Sequence, residues 1–230
     1  MLAREVCDRH RGIGADGLAY LTSPLGMVIY NSDGSPARMC GNALRCLAAE
    51  SVLLGSLDLG ALASFETPSG PRQVRVVSRD PWQVEVNMGA PRAFKPSDAS
   101  DGEQVFWVDM GNPHQVILLP DGASAPTDWQ ARGAFLEHQV PGGVNVEFVE
   151  VRSPGLLRVH VWERGAGPTL ACGTGACACV AAAQWAGRGE ASMTVELPGG
   201  ALEVTLEDGS LWMRGPARQL FEGIWRPDPL

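Results

Sequence analysis

Apolar residues recur along the chain at two periods, and the alternation between them maps the expected elements. From Cys40 to Leu54 the apolar spacing is helical, with Leu44, Leu47, Ala48 and Val52 on or near one face and Gly55 as a natural stop. A second run of helix formers extends from Cys172 to Ala186 and stops at Gly187. Residues 2–10 predict part of a helix closed by the turn Gly12-Ile13-Gly14, and residues 127–138 predict another. Short strands are expected at about 17–21, 27–31, 64–67, 73–78 and 83–88. The Pro/Ser/Asp-rich stretch 91–103 reads as a linker. Strands resume at about 104–110, 115–119, 145–151, 156–163, 193–206 (a strand pair) and 211–214.

Two segments within this pattern read alike. MCGNALRCLA at 39–48 and ACGTGACACV at 171–180 each place a Cys-Gly pair at the start of a helix-forming run. Upstream, Asn31-Ser32 precedes Cys40 by the same nine residues that separate Glu163-Arg164 from Cys172. Overlaying the halves pairs His10 with His138, the strand at Met27 with that at Leu156, and Cys40 with Cys172. The expectation is an α/β (α+β) chain with a half-domain at 1–92, completed by a C-terminal strand at 217–230, and a repeat domain at 103–216. The second half opens with two strands bracketing Gly111-Asn112-Pro113-His114, whereas the first begins only at the following helix. By the length of the matching section, roughly 35 residues of the repeat are expected to be missing before Met1, making the first domain N-terminally truncated.

Composition narrows the class. With 230 residues and 45% hydrophobic content, the chain can bury a sizeable core and accommodate two domains of about 100 residues each. Its formal charge of −8 carries no Lys/Arg-rich block, so attraction to phosphate through counterion release has no source, and nucleic acid is not an expected partner. No apolar run reaches the roughly 18 residues of a membrane span, and the N-terminus lacks the basic flank and apolar core of a signal peptide. The expectation is a cytoplasmic protein with no membrane partner. The six cysteines show no CxxC pair and are expected to be mostly free thiols. Lys95, the single lysine, lies in the expected linker, so no residue suits a pyridoxal-phosphate Schiff base and no cofactor is expected. His10, His138 and His160 show no metal spacing and read as structural, with no metal site.

The chemistry implied by Cys40 and Cys172 follows from their position. A helix N-terminus presents unsatisfied N–H groups and a positive dipole end, which bind carboxylate and lower a thiol pKa from its ordinary ~8.5. Gly41, Gly173 and Gly175 would let a ligand carboxylate approach the backbone. Two such helices facing one carbon could remove a proton on one face and deliver one on the other, inverting a stereocentre. One cysteine would act as thiolate and the other as thiol, exchanging roles on reversal. Cys7, Cys46, Cys177 and Cys179 read as core packing, the usual fate of a free Cys.

HRGIGADG, NSDGSPARMCGN, GNPH and ERGAGPTLACGTGA, in this order along essentially the whole chain, resemble the signature segments of diaminopimelate epimerases, a family of cofactor-independent amino-acid epimerases. The resemblance implies two similar, pseudo-symmetric domains, each a mixed β-sheet wrapped around a central helix, with Cys40 and Cys172 as the two bases. It further implies that Gly41-Asn42 and Gly173-Thr174 cradle the reacting carboxylate. Asn31, Asn112, Asn145 and Arg164 would bind the distal amino-acid group, and Glu163 and His114 would lie near the reacting centre. Three features depart from the family pattern. Its N-terminal segment has no counterpart, which would remove strands from the first sheet and expose apolar surface. Gly17 stands in place of a glutamine, and Ala43 in place of a glycine.

The expected reaction is conversion of LL-2,6-diaminopimelate to the meso form, serving lysine and peptidoglycan synthesis, with a homodimer as one possible assembly. Alternatives are a proline-racemase-like enzyme, which predicts a smaller pocket without the distal Asn/Arg group, and an inactive truncated family member. A phenazine-type isomerase would not carry paired cysteines. A thiol-redox or metal-binding module is opposed by the absence of CxxC and of Cys/His clusters.

Overall fold

A computed structural model describes residues 2–98 and 102–226, and the chain divides into two compact units, residues 1–86 with 216–230 and residues 87–215. In the first unit, α1 (Leu2–Cys7) buries Ala3, Val6 and Cys7. The hairpin β1 (Gly17–Thr22) and β2 (Gly26–Asn31) is antiparallel and is extended by the two-residue β3 (Pro36–Ala37). The helix α2 (Gly41–Leu53) follows, then an antiparallel meander of β4 (Leu62–Phe65), β5 (Arg72–Arg79) and β6 (Trp82–Gly89). Val74, Val76, Val84 and Val86 alternate along β5 and β6 and are fully buried, because a strand places every second side chain on one face.

Leu44, Ala48 and Ser51 form the buried stripe of α2, which packs on β1, β2 and β5. Cys46 lies off that stripe and is exposed, correcting its expected place in the core; two residues advance a helix by more than half a turn. Arg45 is buried, and its Nε–H donates to the Pro216 carbonyl at 3.2 Å. No strand forms over residues 217–226, where Leu220, Phe221 and Ile224 are exposed. Residues 227–230, the end of the expected closing strand, lie outside the described residues.

In the second unit the expected linker contains a strand, β7 (Arg92–Asp98), paired antiparallel with β8 (Gln104–Asp109); residues 99–101 lie outside the described residues. β9 (Pro113–Leu118) pairs antiparallel with β8 and parallel with β10 (Asn145–Ser153), and α3 (Trp129–Gln139) connects them. β11 (Leu156–Glu163) carries the two-residue β12 (Gly167–Pro168) at its end. After α4 (Gly173–Trp185) come β13 (Ser192–Leu197), parallel to β11, then β14 (Gly200–Glu207) and β15 (Ser210–Pro216), antiparallel in turn.

The helix α4 is the core of this unit. Every residue from Gly175 to Ala183 is buried, and the helix contacts β8, β9, β10, β11, β13 and β14. A helix apolar on all sides is stable only when surrounded, and its Ala, Gly and Cys side chains let the strands approach closely. The other face of β10 packs Val146 and Phe148 into a cluster with Val105, Ile117, Leu119 and Val144, against Trp129 and Leu136 of α3. Both faces of β10 are therefore covered. In the first unit, among the described residues, β1 pairs only with β2, and Leu2, Tyr20 and Val28 beside it are exposed.

Candidate active site

Cys40 and Cys172 each occupy the N-cap of a helix, with extended backbone at φ −147° and −123°. At Cys172 the sulfur accepts the Gly175 N–H at 3.3 Å and lies 3.5 Å from Thr174 Oγ1. The sulfur therefore folds over the first turn of α4, where backbone N–H groups have no helical partner. Cys40 is partly exposed and makes no such cap bond. Two residues on, Asn42 Oδ1 is buried without a hydrogen-bond partner among the described residues.

The environment of Cys172 corrects the expectation of a thiol acidified by the helix terminus. Burial raises its pKa far above the ordinary thiol range, and the Glu163 and Glu147 carboxylates raise it further; contacts with Thr174 and Gly175 oppose this and are outweighed. Desolvation of a thiolate exceeds what one helix end returns, so Cys172 rests as a thiol. Glu163, ending β11, is itself held above the ordinary carboxylate range, first by burial, against hydrogen bonds from the Thr169 hydroxyl and the Cys172 thiol. Cys177 is pushed up to about 12 by burial alone.

Hydrogen bonds join the remaining expected residues of the second unit. Asn112 Nδ2 donates to Thr174 Oγ1 at 3.3 Å. Asn145 Nδ2 donates to the Pro113 carbonyl at 2.9 Å, and its Oδ1 accepts the Arg164 N–H at 3.0 Å. The Arg164 side chain is exposed and donates to the Gly142 carbonyl at 3.4 Å. His114 is fully buried, with Nδ1 2.6 Å from Glu147 Oε1. In the first unit, Asn31 ends β2 and its Nδ2 donates to Ser35 Oγ at 2.9 Å, while Gly41 and Asn42 open α2. The expected residues thus fall into two groups: Asn31, Cys40, Gly41 and Asn42 in one unit, and Asn112, His114, Asn145, Glu163, Arg164, Cys172, Gly173 and Thr174 in the other.

Sequence reasoning missed Glu147, Thr169 and Glu137. Glu137 on α3 accepts from Trp162 Nε1 at 2.7 Å and from the Gly165 N–H at 2.8 Å, pinning the turn after Arg164. The only hint of Glu147 in the sequence is an acidic residue inside the largely apolar run VNVEFV. The three histidines read as structural occupy other places: His10 is exposed, His138 Nδ1 lies 2.7 Å from the Ala134 carbonyl, and His160 packs against Trp129. At Gly17, opposite Asn31, a Cβ would lie 2.7 Å from the Tyr30 carbonyl oxygen, so a longer side chain there would force the strands to shift. Among the described residues no group of three or more His, Cys, Asp and Glu side chains could hold a metal, and no helix is long and apolar enough to cross a membrane.

Mixed α+β units of this kind define a fold shared with solved structures of an epimerase and of a phenazine biosynthesis protein. A hydroxyproline epimerase from Agrobacterium vitis superposes with a TM-score of 0.67 at 18% identity, covering 93% of this chain and 76% of that one. A phenazine biosynthesis protein of the PhzF family from Bacillus anthracis gives 0.65 at 14%, covering 89% and 82%. Sequence narrows the class. The diaminopimelate epimerase family model matches residues 1–94 and 106–220. Diaminopimelate epimerases of Synechococcus elongatus and Desulforudis audaxviator are 41% and 42% identical over 96% and 97% of this chain and 86% and 88% of their own lengths. The chain belongs to the diaminopimelate epimerase family and is an isomerase.

Proposed function

We propose that the chain converts LL-2,6-diaminopimelate into meso-diaminopimelate by a two-base mechanism without pyridoxal phosphate, in the cytoplasmic synthesis of lysine and peptidoglycan precursors. The observation that carries this reading is a cysteine at the N-cap of a helix in each unit of a chain so similar to diaminopimelate epimerases. One thiolate takes the α-proton, and the electron pair left on carbon delocalises into the adjacent carboxylate. The other thiol returns a proton to the opposite face. Each turnover leaves the first sulfur protonated and the second deprotonated, ready for the reverse reaction.

The developing charge on the carboxylate is met by the free N–H groups of Gly41-Asn42 and Gly173-Thr174 at the two helix starts. Glu163 accepts from the α-ammonium. Arg164, with Asn31, Asn112 and Asn145, recognises the distal carboxylate and amine, for which a guanidinium fork and amides offer matching donors and acceptors. Asn42 Oδ1, buried without a partner among the described residues, is a further acceptor available to the substrate.

The deciding experiment is incorporation of solvent deuterium at the α-carbon, followed by mass spectrometry with diaminopimelate and with proline. The expected result is exchange and inversion of diaminopimelate only. Exchange of proline with diaminopimelate untouched would replace this reading with a proline-racemase-like one.

A further inference from the structure

Beside Cys172 lies a buried pair to which the reaction outlined above assigns no step. His114 and Glu147 sit on the adjacent parallel strands β9 and β10, His114 opposite Asn145 in the register. His114 Nδ1 lies 2.6 Å from Glu147 Oε1 with both side chains fully buried. The second nitrogen, Nε2, and the second oxygen, Oε2, are also buried and have no hydrogen-bond partner among the described residues. Burying polar atoms costs free energy unless they are paired, so two unpaired atoms in one contact point to a purpose other than stability.

Their placement narrows that purpose. A Cβ on Gly175 would lie 2.7 Å from Glu147 Oε1 and 3.2 Å from Cys172 Sγ, so the carboxylate and the sulfur flank one glycine of the first turn of α4. An ionised carboxylate only accepts hydrogen bonds, and a neutral imidazole carries a single N–H. With Glu147 ionised, that proton lies on Nδ1, and Nε2 is left with a lone pair.

We infer that Glu147 is a positioning residue of the Cys172 half-site: its carboxylate holds the His114 imidazole in the Nδ1–H tautomer and so keeps Nε2 as an acceptor for a proton-bearing group at the reacting centre. What Nε2 receives rests on the epimerase reading. The tautomer is a property of the protein alone.

Long-range proton–nitrogen NMR spectra of the ¹⁵N-labelled full chain read that tautomer directly. The expected result is a protonated Nδ1 and a bare Nε2 at neutral pH. Glu147→Gln should move His114 toward the Nε2–H form, because the amide nitrogen can donate to Nδ1. In the deuterium-exchange assay the same variant should lose roughly 10- to 100-fold in kcat, the cost of removing a ring-orienting partner at metal-ligating histidines, with little change in KM. Glu147→Asp, which keeps the charge, should recover part of the loss. A wild-type His114 protonated on Nε2, or a Glu147→Gln variant with wild-type kcat, would overturn the assignment, and the wild-type spectrum decides even if neither variant folds. The expected tautomer in a chain that leaves diaminopimelate unexchanged would support the positioning contact and count against the epimerase reading alone.

Discussion

The side-chain oxygen of Asn145 accepts the backbone N–H of Arg164 at 3.0 Å, while its nitrogen donates to the Pro113 carbonyl at 2.9 Å. One buried amide thus ties the residue after β11 to the first residue of β9. Asn145→Ala would strand a donor and an acceptor, each at a cost of about 1–3 kcal/mol when buried. The expected outcome in urea denaturation is a loss of about 2 kcal/mol, with a rise in KM because Arg164 loses its backbone anchor. Asn145→Asp keeps the acceptor for Arg164 but not the donor, and should fall between. Unchanged KM in the alanine variant would separate this amide from substrate recognition.

Gly175→Ala tests how tightly the first turn of α4 is packed. Elsewhere in a helix this substitution gains about 1 kcal/mol. Here the new Cβ would stand 2.7 Å from Glu147 Oε1, which is held on His114, and 3.2 Å from Cys172 Sγ. Overpacking of this kind costs about 1–3 kcal/mol. The variant should therefore show no gain in thermal stability and should lose activity as the sulfur is displaced. A more stable, fully active variant would show that these neighbours yield freely.

How much of this is legible without coordinates depends on whether the cause is local. The helices behind Cys40 and Cys172 are legible, because small and apolar residues run at helical spacing to a glycine stop, and Cys-Gly recurs at both starts. The strand β7 is not: Pro, Ser and Asp in residues 91–103 signal a turn, yet pairing with β8 makes Arg92–Asp98 a strand, tertiary context overriding composition. Glu147 is hidden for a related reason. In NVEFVE an acidic residue reads as the solvent-facing member of an alternating strand, whereas α3 covers one face of β10 and α4 the other. The protonation of Cys172 is equally non-local, since the helix end acts within one turn while desolvation comes from the surrounding sheet and charge repulsion from Glu163 on β11 and Glu147 on β10.

Glu163 should leave a signature in stability against pH. Its carboxyl is held above the ordinary range, first by burial. Between the ordinary and the raised value the folded chain binds more protons than the unfolded one, so stability falls as pH rises through that interval. Glu163→Gln removes this titration and still accepts from Thr169. Thermal unfolding across about pH 4 to neutrality should show the wild type losing stability relative to the variant as pH rises, while the variant loses epimerase activity. A difference constant across the interval would contradict the elevated carboxyl.

The two cysteines should be equally necessary and unequally reactive. Removing either sulfur removes one of the two proton-transfer groups, so Cys40→Ala and Cys172→Ala should each lower turnover by at least about 10²-fold, the lower end of what general acid–base catalysis contributes. Alkylation should tell them apart. Cys172 is 7% exposed and held as a thiol by burial and by Glu163 and Glu147, whereas Cys40 is partly exposed. A Cys46→Ser background removes the exposed thiol on α2 that would compete for reagent. With iodoacetamide at mildly alkaline pH, peptide mapping should show Cys40 modified before Cys172, and loss of activity should follow Cys40. Modification of Cys172 first would mean that the helix end, and not desolvation, governs that sulfur.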